Sequence, residues 1–74
     1  MERYRLVVFR TGLFGVLDTK TSEFLTLKYN RIPKDEARNV IELCQMENST
    51  ANELKKQLNT TELQAQFRFV EGNQ

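Results

Sequence analysis

Apolar residues along this chain come in short runs broken by polar turns up to about position 30, and at three- and four-residue intervals after it. Residues 4 to 9 read YRLVVF, rich in β-branched and aromatic side chains and too short for a typical helix, which predicts a strand. Thr11-Gly12 follows as a turn, because Gly12 takes a positive φ without steric cost. Residues 13 to 17 form a second apolar run, and residues 23 to 29 a third, in which Leu25, Leu27 and Tyr29 alternate with Phe24, Thr26 and Lys28. Connections this short make the three strands an antiparallel meander.

The stretch FGVLDTKTSEFLTL, residues 14 to 27, admits two readings. An Asp at the end of an apolar strand resembles a phospho-accepting carboxylate, but that chemistry needs a metal held by further carboxylates and a phosphate cradle. Position 20 is Lys, and neither a Gly-rich loop nor an acidic cluster follows. The expectation is a hairpin in which Asp18 accepts hydrogen bonds from backbone N–H groups two or three residues on.

From Arg31 the period changes. Pro33 suits a first helical turn, Asp35 and Glu36 suit the positive end of the helix dipole, and Ala37, Val40, Ile41 and Cys44 make a narrow apolar stripe. A helix is expected over 33 to 46. Thr50 and Glu53 match a capping box ahead of a shorter helix over 51 to 58, with Ala51, Leu54 and Leu58 on one side. Asn59-Thr60-Thr61 repeats the capping signal, residues 67 to 70 are expected as strand or helix, and 71 to 74 as a frayed tail.

The fold class expected is thus a single small α+β domain, a three-stranded antiparallel β-meander packed by an amphipathic helix, a short second helix and a C-terminal strand or helix. The expected core is Leu6, Val8, Phe14, Val16, Leu25, Leu27, Val40, Ile41, Cys44, Leu54, Leu58 and Phe67. Because successive strand residues point to opposite faces, both faces of the meander are apolar, and one long helix covers one of them. The other needs the C-terminal third or a second chain. Wet apolar side chains would cost a large part of the stability of so small a domain.

Composition sharpens this. At 74 residues the chain has little core to spare, and one cysteine with no histidine leaves neither an internal disulfide nor a soft-ligand set for zinc. No cofactor or metal is expected. The lone Cys44 and the absence of a signal sequence or membrane-spanning run suggest a soluble, cytoplasmic protein with no membrane partner. The net charge of +1 divides unevenly: residues 1 to 34 hold seven basic against three acidic side chains, and residues 35 to 74 four against seven. The two halves attract each other, or the first offers a positive face to a partner.

Enzymatic chemistry finds little footing, since there is no histidine and Cys44 falls on the apolar stripe, where a packed thiol is the expected role. The acceptor patterns Asn48-Ser49-Thr50 and Asn59-Thr60-Thr61 sit where helix caps are wanted, so capping accounts for them better than glycosylation. The expected function is a small non-enzymatic interaction module, an adaptor or inhibitor that binds a protein partner, with homodimer formation as a further mode. Regulatory and accessory proteins, those of phages and mobile elements among them, are of this kind. The candidate partner-binding residues are Arg3, Tyr4, Arg5, Val7, Phe9, Arg10, Lys28 and Arg31.

Nucleic acid is the second reading, in two forms. The basic strand face would grip phosphates while Tyr4 or Tyr29 stacks on bases. Alternatively, residues 51 to 68 would form a helix-turn-helix that turns at Asn59-Thr60 and presents Thr61, Glu62, Gln64, Gln66 and Arg68 to a groove. The acidic second half lacks the phosphate-directed charge that the latter requires.

Overall fold

The computed structural model describes the backbone of residues 2 to 72 and the side-chain surroundings of residues 2 to 60. Four strands, β1 (Tyr4–Val8), β2 (Phe14–Asp18), β3 (Glu23–Leu25) and β4 (Arg31–Pro33), are followed by helices α1 (Ala37–Cys44) and α2 (Asn48–Gly72). The sheet is antiparallel throughout, in the order β1-β2-β3-β4. The class is α+β, as the hydrophobic pattern predicts, with four strands where three were expected.

The third strand is shorter than the pattern suggests because the chain turns at Thr26. The Thr26 N–H donates to the Asn30 oxygen at 2.9 Å, and its hydroxyl accepts from the N–H groups of Lys28 and Asn30 at 3.2 and 3.0 Å. Thr26 itself is buried. This hydrogen-bonded knuckle satisfies backbone groups locally that a longer strand would have paired with a neighbour. Leu27 and Tyr29, expected to alternate along a strand, lie on the knuckle instead, and the chain returns as β4.

Pro33 is the last residue of β4 rather than the first turn of a helix. An edge strand tolerates it because no ladder bond needs its missing N–H. Helix α1 is consequently shorter than expected and starts after Glu36, whose oxygen accepts the first helical bond from Val40 at 3.0 Å. The second helix starts earlier than expected, with Ala51 donating to the Glu47 oxygen at 2.8 Å, so Thr50 lies inside it and is not its cap. It then runs unbroken through Asn59-Thr60 to Gly72, so the turn required by a helix-turn-helix over 51 to 68 is absent and residues 67 to 70 are helical. The side-chain surroundings of Phe67, a predicted core residue, and the last two residues of the predicted tail fall outside what is described.

Each face of the sheet has its own helix. On one, α2 packs Ala51, Leu54 and Leu58 against Tyr4, Val16 and Leu25, with Leu6, Phe14 and Met46 joining them. On the other, Val40 and Cys44 of α1 meet Phe24, flanked by Val7, Phe9, Leu17 and Ile32. The register explains the division: Leu6, Val16 and Leu25 are cross-strand neighbours in one row, and Leu17, Phe24 and Ile32 in the next. The chain passes from one layer to the other at Met46, which exchanges backbone bonds with Phe14 at 2.7 and 2.8 Å where β3 has already turned away.

Both faces of the sheet are thus shielded within one chain, and the second face, expected to need the C-terminal third or a second chain, is covered by α2. Val8 and Leu27 also leave the predicted core, at 63% and 57% exposure, the first beyond the cover of α2 and the second on the knuckle. Tyr4, Phe24, Met46 and Ala51 belong to it. Ile41, Leu6 and Phe14 are half-buried, while Val16, Leu25, Val40, Cys44, Leu54 and Leu58 are buried as expected.

Candidate protein-binding surface

The residues nominated from sequence do not form one patch. Tyr4 is almost wholly buried in the α2-side core, which removes it from any stacking platform. Arg3 and Arg31, on the basic strand face, turn inward to a common acceptor, Asp18. The Arg3 Nε and Nη2 donate to Asp18 Oδ1 and Oδ2 at 2.9 and 2.8 Å, Arg31 Nη1 donates to Oδ2, and Arg31 Nη2 donates to the Tyr4 hydroxyl at 3.0 Å. The Arg3 guanidinium also lies 5.3 Å from the Tyr4 ring centroid, within cation–π range.

Asp18 is fully buried and bears out the hairpin reading of its loop, since Oδ1 accepts from the Lys20 N–H at 2.9 Å, two residues on. Burial alone would raise its pKa. The hydrogen bonds from Arg3, Arg31 and the Lys20 N–H outweigh that and hold the carboxyl well below the usual range. Such a group is a fixed anion and a structural anchor. Sequence reading found the turn but not the two arginines, because they come from positions 15 residues before and 13 residues after Asp18.

Val7 and Phe9 are half-buried against the α1-side cluster. The Phe9 ring lies over Gly15, and its centroid is 5.5 Å from that of Phe24. Arg5, Arg10 and Lys28 remain exposed.

Lys28 sits between the two residues that sequence reading assigned to a strand and that instead make the most exposed apolar feature near α2. Tyr29 is 55% exposed and has φ +64°, a left-handed conformation that a bulky side chain rarely adopts. Its hydroxyl bonds to Gln57 Oε1 at 3.1 Å. Together with Leu27, Thr50, Glu53 and Leu54, these residues line a groove of about 400 Å³ between the knuckle and α2. Its lining mixes the apolar Leu27, Tyr29 and Leu54 with the polar Thr50, Glu53 and Gln57, a mixture of the kind found at protein interfaces. The cue in the sequence was the pair Leu27 and Tyr29, but strand alternation explained it equally well.

Cys44 is buried among the described residues and makes no disulfide. Burial raises the pKa of the Cys44 thiol. Among the described residues no cluster of acidic or thiol side chains is placed to hold a metal ion, and no helix is long and apolar enough to cross a membrane. Compared with protein-family models, curated proteins and solved structures, the chain gives no match.

Proposed function

We infer that the protein is a small non-enzymatic interaction module that binds a protein partner through the Leu27–Tyr29 knuckle and the adjoining face of α2. The observation that carries this reading is Tyr29: an exposed aromatic held at φ +64° beside an exposed Leu27. Local strain of this kind persists only where the surroundings impose it, and it clusters at ligand clamps. Aromatic anchors with a polar rim are the usual energetic centres of protein interfaces. The groups that would serve an enzyme are otherwise engaged, Asp18 as a paired anion and Cys44 as a buried thiol.

The test is paired affinity capture from the source cell with the wild-type chain and a Leu27→Ser, Tyr29→Ser variant whose folding is verified by circular dichroism. A protein retained by the first and lost by the second supports the site; identical retention overturns it. Binding to generic DNA or RNA that weakens steeply with salt, with no protein retained, would favour the nucleic-acid reading instead.

A further inference from the structure

A second surface lies along β1, the edge strand of the sheet opposite β4. In that strand the odd-numbered residues bond to β2, as shown at its ends by Phe9 N–H to the Leu13 oxygen at 2.8 Å and Thr19 N–H to the Arg3 oxygen at 3.0 Å. The N–H and C=O groups of Tyr4, Leu6 and Val8 therefore point to the open edge, by the alternation of an antiparallel ladder. Those of Tyr4 are occupied: its N–H donates to Asn59 Oδ1 at 3.0 Å, and its oxygen accepts from Asn59 Nδ2 at 3.3 Å. Leu6 and Val8 are left as the open part of the edge, and Val8 is also the most exposed large apolar residue of the sheet. The opposite edge is defended by its shortness and by Pro33.

We propose that β1 pairs antiparallel with β1 of a second copy of this chain, about a two-fold axis through Val7. The register follows from counting open groups. With Leu6 opposite Val8 of the second copy, and Val8 opposite its Leu6, every open N–H and C=O on both edges gains a partner. Sliding by two residues one way sets Val8 against a Tyr4 that Asn59 already occupies. Sliding the other way sets Leu6 against Arg10, which lies in the turn beyond the strand.

Side chains agree with the same register. The exposed Val8 is covered by Leu6, Val7 meets Val7, and Arg5 faces Phe9, an aromatic acceptor for a cation that has no acidic partner within the described chain. No like charges are opposed, and a net charge of +1 gives the copies little reason to repel. This interface concerns a different surface of the module from Leu27 and Tyr29, so either can fail without the other.

Two measurements on the full chain test it. Sedimentation over a dilution series should show a monomer–dimer equilibrium, and Val8→Pro, which deletes an edge N–H the isolated fold does not use, should raise the dissociation constant at least about tenfold. Circular dichroism and thermal unfolding verify that this variant is folded. Cysteine cross-linking reads the register. Val7→Cys should form a disulfide-linked dimer under mild oxidation, because facing residues in such a pair have Cα atoms roughly 4.5 Å apart. Val8→Cys, although more exposed, should not, since its copies stand diagonally about 7–8 Å apart. The wild type, whose Cys44 is buried, should stay unlinked. A monomer up to millimolar concentration, or Val8→Cys cross-linking as readily as Val7→Cys, overturns the proposal.

Discussion

The side-chain amide of Asn59 grips both backbone groups of Tyr4, accepting from its N–H at 3.0 Å and donating to its oxygen at 3.3 Å. A helix residue thus stands where a neighbouring strand would be and ties α2 to the end of the sheet. Replacing it by Ala leaves a partly buried donor and acceptor without partners. The expected loss is about 1–2 kcal/mol, read from the urea midpoint, with the slope of the transition unchanged.

Asp18 governs behaviour in acid. Its carboxyl keeps its charge in the native state well below the ordinary range, whereas in the unfolded chain it takes up a proton at about pH 3.9. The native pKa is the lower of the two, so the stability it confers is complete above the unfolded value and is lost progressively as pH falls below it. Urea titrations from neutral pH downward should show the midpoint dropping below about pH 5, and Asp18→Asn should flatten that part of the curve.

At neutral pH the same substitution removes the negative charge shared by Arg3 and Arg31 and replaces one of the two acceptor oxygens by an NH2 donor that faces the guanidinium groups. Breaking a buried pair costs about 3–5 kcal/mol, but both arginines reach solvent and can rehydrate. A loss of about 2–3 kcal/mol is expected in chemical denaturation.

Gly15 leaves no room for a methyl group, because a Cβ there would come within 2.6 Å of the Phe9 ring. Gly15→Ala forces the ring off its seat and away from Phe24, at about 1–2 kcal/mol. In a Phe9→Ala background the same change should cost much less, and a double-mutant cycle measures the coupling.

Tyr29 carries the strain of its left-handed backbone. Asn adopts that conformation more readily, so Tyr29→Asn should raise stability by up to about 1 kcal/mol in thermal unfolding despite the lost contact to Gln57. If the knuckle is the binding surface, the more stable variant should bind its partner less well, which competition with the wild type would show.

Much of this architecture is legible from local pattern. The first two strands, the turn at Gly12 with its φ of +85°, and the Asp18 turn all follow from residues within a few positions of one another. What escaped the sequence depended on distant partners. Asn59-Thr60-Thr61 has the chemistry of a cap, and Asn59 does satisfy orphan backbone groups, but those of a strand rather than a helix. Pro33 fits both a helix start and an edge strand, and the choice rests on β4 pairing with β3. Leu27 and Tyr29 alternate like a strand, yet the buried Thr26 hydroxyl bends the chain away before them. For the candidate site, the basic residues of the first half were visible, but not that Arg3 and Arg31 are claimed by Asp18.

Pro33 has one more effect. Fibrous aggregates grow by adding subunits at both borders of a sheet, and here one border ends in a residue that cannot extend the ladder. A pair of the kind proposed along β1 would therefore be closed: with that border used up and Pro33 on the other, a third molecule would find no strand to extend, and concentrating the protein would give a finite particle rather than a filament.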